Sequence, residues 1–169
     1  MFYTRARKAC RLRARRLVIS RIGDVEVQAT QGAVLLTLAL AAISTIRLGG
    51  RGGLLGAGLL LISLLLHEVG HLAMAQSLGV RVQAIGVCLK GAYLCRSKSQ
   101  EPLFELLIAA AGPAANLLLF LWLRDGNSVA KWVALLNLVL AISNLLPIKS
   151  SDGLRILNSW RALQRIPNS

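Results

Sequence analysis

Charge is segregated along this chain, and that segregation constrains its fold more than any other feature. Four apolar stretches, at about 32–46, 54–78, 103–123 and 129–147, are nearly free of charged residues. Yet the 169-residue chain carries 20 Lys and Arg against 7 Asp and Glu, a formal net charge of +13. A soluble protein this cationic spreads its charge over its surface, as nucleic-acid binders do. Basic residues collected between apolar runs instead mark a membrane protein, and no nucleic-acid partner is expected. The expected fold is an all-α membrane protein of one domain with about four transmembrane helices. The first is marginal: 15 helical residues span about 22 Å, against a hydrocarbon core of about 30 Å.

The distribution of basic residues sets an expected orientation. With the N-terminus inside, the inner pieces 1–31, 79–102 and 148–169 hold sixteen of the twenty basic residues, and the outer loops keep Arg47, Arg51, Arg124 and Lys131. Such a bias places both termini in the cytoplasm. Three parts follow: a basic cytoplasmic segment over 1–31, a membrane-embedded core over 32–153 and a basic cytoplasmic tail over 154–169. No cleavable signal peptide is read, because the basic start runs on too long before an apolar core begins. Between the second and third spans, Val80-Arg81-Val82-Gln83-Ala84 alternates, Lys90-Gly91 signals a turn, and Ala92-Tyr93-Leu94-Cys95 continues extended. This pattern predicts a small β-hairpin. Its edge offers backbone hydrogen bonds to an extended peptide, although a plain connecting turn fits the pattern equally. Three cysteines at scattered spacing do not read as a disulfide framework; Cys88 and Cys95 could face one another across the hairpin, but they are read as two small buried residues.

The chemistry-bearing residues lie inside the second apolar stretch. His67 and His71, the only histidines of the chain, are one helical turn apart on one face and so can grip one metal ion. Glu68 is displaced around the helix, where it suits a proton acceptor for water rather than a ligand. A carboxylate among Leu59-Leu60-Leu61-Ile62-Ser63-Leu64-Leu65-Leu66 costs a few kcal/mol and signals function. Gly70 and Ala73 leave room beside the pair. Gly56 and Gly58 mark a place where a neighbouring helix could approach.

A catalytic zinc keeps three protein ligands and an open position, and histidine is exhausted after two. The third ligand must come from Asp24, Glu26, Glu101, Glu105, Asp125, Asp152 or a cysteine. Asp24 and Glu26 precede the first span and Asp125 falls in an outer loop. Asp152 is the best placed, because it follows a span that ends on the same side of the membrane as the histidine helix. Glu101 and Glu105 are the runners-up.

These residues resemble the site-2 protease group of intramembrane metallopeptidases, the M50 family. His67-Glu68-Val69-Gly70-His71 resembles its zinc helix. Asn144-Leu145-Leu146-Pro147 followed by Asp152-Gly153 resembles its second signature, and Gly112-Pro113-Ala114-Ala115-Asn116 its intervening Gly-Pro-x-x-Asn. The three motifs occur in the family's order and cover about residues 25–160. Two departures stand out: Lys149-Ser150-Ser151 replace the family's apolar and proline residues before the aspartate, and Leu154 replaces a second glycine. The resemblance implies one zinc ion held by His67, His71 and Asp152, with Glu68 as general base and then acid. It makes Asn116, Asn144 and Pro147 candidates for supporting the site or touching substrate. It further implies hydrolysis of a peptide bond in or near a transmembrane segment of a membrane-protein substrate, in a bacterial-type cell membrane. The alternative is a catalytically inactive metal-binding homologue that serves as a membrane scaffold or regulator, against which an intact Glu68 argues. A transporter would place more polar ligands along its spans.

Overall fold

The computed structural model describes residues 16–22, 24–88, 91–97, 99, 101–149 and 151–165. The basic residues before Arg16, and Lys90 of the turn, lie outside them. In chain order the elements are β1 (Arg16–Ile22), β2 (Val25–Thr30), α1 (Gln31–Ser77), β3 (Val82–Cys88), β4 (Gly91–Arg96), α2 (Pro102–Leu123), α3 (Ser128–Leu145) and α4 (Asp152–Leu163).

Helix α1 has helical backbone from Gln31 to Ser77, but it is not a straight rod. A Cβ built on Gly53 would overlap the side chain of Thr45 and lie 2.7 Å from its backbone nitrogen. Eight residues of straight helix separate two Cα atoms by about 12 Å. The chain therefore folds back within the glycine-rich stretch before Gly53, and only a glycine fits so close to the preceding arm. Among the described residues, three helical segments are long and apolar enough to cross a membrane: Gly53–Ser77, Pro102–Leu123 and Ser128–Leu145. The short first stretch, 32–46, is helical but is not one of them.

These segments carry their apolar residues outward. Leu54, Leu55, Ile62, Leu118, Leu121, Trp122, Leu135, Val139 and Ile142 are exposed, whereas Ser63, His67, Glu68, His71, Asn116 and Asn137 are buried. Apolar outside and polar inside suits lipid as the surrounding solvent, because polar groups there must be satisfied between helices. Asn137 illustrates this: its Nδ2 donates to Ser63 Oγ at 2.9 Å, tying α3 to α1 across the core.

Small residues set how closely α1 and α2 approach. A Cβ on Gly70 would lie 2.7 Å from the carbonyl oxygen of Ala111 and 3.1 Å from Ala115 Cβ, so the two backbones meet there. Between lipid-exposed helices, where no water is released on contact, such close packing supplies much of the attraction. Gly58, by contrast, has nothing within 4 Å of its Cβ position, so no helix approaches it.

The sheet is larger than a hairpin. Its strand order is β1-β2-β3-β4, with β2 and β3 parallel and the outer pairs antiparallel. Residues 16–30, expected only as basic anchor, thus add two strands to the β3–β4 pair. Val25, Val82 and Ile85 of the sheet pack with Ala75 of α1 and Ile108 of α2 in one buried cluster. Helix α1 ends at Gly79, whose φ of +68° needs a glycine and turns the chain into β3. Cys95, on β4, is disulfide-bonded, where the cysteine spacing had indicated no bridge.

Replacing Gly70 by valine should force α1 and α2 apart and cost about 1–3 kcal/mol of stability, as overpacking does. Gly58→Val should leave stability within about 0.5 kcal/mol. Thermal unfolding of both variants in the same detergent compares them directly.

Candidate metal centre

Three side chains from two helices converge on one point. His67 and His71 project from one face of α1, and Asp152 is the first residue of α4. All three are buried. Their donor atoms form a nearly equilateral triangle: His67 Nε2 to His71 Nε2 is 3.2 Å, and each nitrogen is 3.1 Å from Asp152 Oδ2. Ligands about 2.0–2.1 Å from one tetrahedral ion stand about 3.3 Å apart, so the spacing fits a single small cation.

The tautomer of His71 strengthens the case. Its Nδ1 lies 2.6 Å from the carbonyl oxygen of Ile108, a contact that an N–H must donate. Neutral His71 has no second ring proton, so its Nε2 turns a bare lone pair toward Asp152 Oδ2 and His67 Nε2. Lone pairs this close repel one another unless a cation, or a ring proton of His67, lies among them. The outward hydrogen bond is also what metal-ligating histidines use to fix ring orientation.

The second half of the site depends on the turn between α3 and α4. Pro147 is exposed in that turn, and Asn144 Nδ2 donates to Leu140 O within its own helix at 3.0 Å. Ser151 caps α4: its Oγ accepts from Leu154 N at 3.2 Å and donates to Ile148 O at 2.8 Å. The departures from the family pattern at Ser151 thus build a capped helix start, which presents Asp152 at the positive end of α4. A Cβ on Gly153 would overlap the Leu145 carbonyl. Only glycine lets this first turn sit against the end of α3.

Helix α2 closes the site from above. A Cβ on Gly112 would overlap the His71 ring and lie 2.8 Å from His67 Nε2, so a larger residue would displace the donor atoms. Four residues on, Asn116 has no exposed surface, and neither its Oδ1 nor its Nδ2 has a hydrogen-bond partner. His67 Nδ1 is likewise buried without one. Glu68 is buried and lies within electrostatic reach of both histidines and Asp152.

The other carboxylates are engaged elsewhere or stand apart from the triangle. Glu26 pairs with Arg21 at 2.6 Å, Asp125 is exposed beside Arg124, and Glu101 stands exposed at the start of α2. Glu105 sits in the guanidinium fork of Arg96, with N–O distances of 2.7 and 2.9 Å. Sequence reasoning passed over Arg155, whose Nη1 donates to Asp152 Oδ1 at 3.0 Å. The signal was present, since residues three apart on a helix are neighbours. The Arg155 charge beside Oδ1 favours the ionised carboxylate. Asp152 is therefore ionised and able to bind a cation.

Residues 55–124 match the family model described as Peptidase family M50. The chain is 35% identical over 118 residues to a provisionally named zinc metalloprotease of Synechocystis, covering 63% of this chain and 31% of that protein. It is 36% identical over 127 residues to a provisionally named zinc metalloprotease of Mycobacterium tuberculosis, covering 64% and 32%. To a zinc metalloprotease of Methanocaldococcus jannaschii it is 32% identical over 111 residues, covering 60% and 32%. The chain thus spans about one third of the length of these relatives. In fold it is similar to the solved site-2 protease of Methanocaldococcus jannaschii, with a TM-score of 0.71 over 89% of this chain and 74% of that one at 24% identity. The matched stretch holds the histidine helix and the glycine helix that closes over it, and the aspartate that completes the triangle follows within the same fold. Over residues 55–124 and in its fold, the chain is similar to peptidase family M50.

Proposed function

We propose that this protein is a site-2-type zinc metallopeptidase that hydrolyses a peptide bond in or near a transmembrane segment of a membrane-protein substrate. The observation that carries this reading is the buried triangle of His67 Nε2, His71 Nε2 and Asp152 Oδ2, with Glu68 beside it in a helix fit to span a membrane. Names of relatives support zinc as the ion. When bound, zinc supplies Lewis acidity toward the scissile carbonyl and the attacking water.

The chain's own residues supply the rest. His67, His71 and Asp152 hold the ion on one side and leave another open. Glu68 takes a proton from water as the water oxygen bonds to the carbonyl carbon. It then returns that proton to the amine nitrogen as the carbon–nitrogen bond breaks. Asn116, with both ends of its amide unpartnered inside the protein, is suited to bind a substrate peptide group or a bridging water. Asn144 and Pro147 shape the turn that delivers Asp152. Strand β4, paired on one side with β3, offers a free edge along which an unwound substrate can lie. Both termini face the cytoplasm.

Glu68→Gln should keep its zinc and lose turnover by roughly 10²–10⁴-fold, the usual worth of a general base. Metal content and cleavage of membrane-tethered peptides, measured on the same detergent preparation, check this. Undiminished cleavage would sink the mechanism. His67→Ala and Asp152→Ala should lose both metal and activity, and full zinc occupancy in either would move the site elsewhere.

Reporter fusions at residues 1 and 169 should both read as cytoplasmic, as the sixteen-to-four distribution of basic residues requires. An external signal from either end would mean that the short first stretch, 32–46, does not cross the membrane.

A further inference from the structure

One set of charged groups beside the metal triangle has no part in the mechanism above. Asp152 turns Oδ2 to the histidines and Oδ1 to Arg155 Nη1 at 3.0 Å. The other arm of the same guanidinium, Nη2, lies 3.8 Å from Glu105 Oε2. Glu105 in turn receives both Nη1 and Nη2 of Arg96, on β4, and the backbone N–H of Ser99 at 2.6 Å. A continuous run of alternating charge therefore leads from Asp152 to strand β4. The Arg96, Glu105 and Asp152 side chains are nearly buried, at 8%, 11% and 9% exposure, while Arg155 reaches the surface at 38%.

We propose that Arg155 is a positioning residue for the metal ligand, holding Asp152 Oδ1 so that Oδ2 alone faces the histidines, and that Glu105 and Arg96 tie this orientation to strand β4. The proposal rests on the metallopeptidase reading. With Oδ1 engaged by Arg155, the carboxylate offers the ion one oxygen, which leaves a coordination position for water and substrate. A planar guanidinium can hold two carboxylates at once, one on each arm, whereas a lysine ammonium cannot hold that geometry. Without Arg155, Asp152 and Glu105 confront each other as like charges in a poorly solvated site, with Arg96 only on the far side. The carboxylate is then free to rotate. Hydrogen-bonding partners of metal ligands typically contribute 10–100-fold to metal affinity.

The test is zinc affinity of the purified full chain in detergent, read by competition with a chromophoric chelator, with apo-protein melting followed in parallel. Arg155→Ala should weaken zinc by about 10–100-fold at unchanged apo melting, and Arg155→Lys should fall between it and wild type. Arg96→Gln, which alters a residue with no contact to any ligand, should weaken zinc severalfold. Zinc binding by Arg155→Ala within twofold of wild type would overturn the positioning role. If the alanine variant does not fold, Arg155→Lys decides: a severalfold loss supports the role and wild-type affinity overturns it. Wild-type affinity in Arg96→Gln would overturn the tie to β4. Asp152→Ala in the same titration separates the two readings. If it binds zinc normally, the metal assignment fails; if it loses zinc while Arg155→Ala does not, only the positioning role fails.

Discussion

Three donor atoms suited to one cation lie within about 3.2 Å of one another inside this protein, and the structure around them is organised to keep them there. His67 and His71 are brought together by one helical turn, which costs nothing beyond the helix itself. Asp152 must be delivered from 81 positions further along the chain, within about 3 Å of both nitrogens. That delivery depends on three glycines in three helices. Gly70 lets α1 and α2 touch backbone to backbone, Gly112 lets α2 lie over the donor atoms, and Gly153 lets α4 begin against the end of α3. At each place a single methyl group would move a ligand or the helix that carries one. A cation held among the three donors would stabilise this convergence, so folding and metal binding are linked at this point.

The membrane explains why the helices are held this way rather than by a larger apolar core. Lipid chains are as apolar as leucine, so burying leucine between spans gains little. Accordingly, many large aliphatic side chains on these segments face outward, and the interior combines small residues, two asparagines, a serine and the His67, His71 and Asp152 group with a few aliphatic side chains such as Leu60, Ile108 and Val133. The apolar cluster that does form lies where the sheet meets the end of α1 and the start of α2. Ile108 belongs to that cluster and its carbonyl fixes the His71 ring. Packing of the sheet is therefore transmitted to the orientation of a metal-binding group through one residue.

How much of this was legible in the sequence differs from one element to the next. The His-Glu-x-x-His run was readable because helical periodicity alone puts its members on one face. Three of the four apolar stretches were readable because length and hydropathy decide whether a helix can cross. Strands β1 and β2 were missed although Val25-Glu26-Val27-Gln28-Ala29 alternates and Gly23-Asp24 signals a turn. The weight of basic residues in 1–31 had led to reading the whole segment by charge, and charge carries no information on strand pairing. Arg155 was overlooked for a different reason. Its value lies in what it faces across the site: Arg155 meets Glu105, 50 positions earlier, and Glu105 meets Arg96, 9 positions before that, in pairings that only the folded chain creates. The steric demands at Gly112 and Gly153 were hidden likewise, since a glycine's meaning depends on the neighbour it admits.

The polar turn before Asp152 shows how a departure from a family pattern can preserve its purpose. An apolar, proline-containing link would fix the aspartate by restricting backbone angles. Here Ser151 reaches the same end by hydrogen bonding: it accepts from Leu154 N and returns its own proton to carbonyls of the turn, so the first turn of α4 and the link before it are fixed together. Leu154 stands in place of a second glycine, and the close contact with the end of α3 is made at Gly153. What the geometry requires is a carboxylate at the positive end of a helix whose start is pinned against α3, and a serine cap meets that requirement as well as a proline. The residues that cannot be exchanged in this way are those in direct contact with the donor triangle, where Gly112 stands over both rings and leaves no space for an alternative.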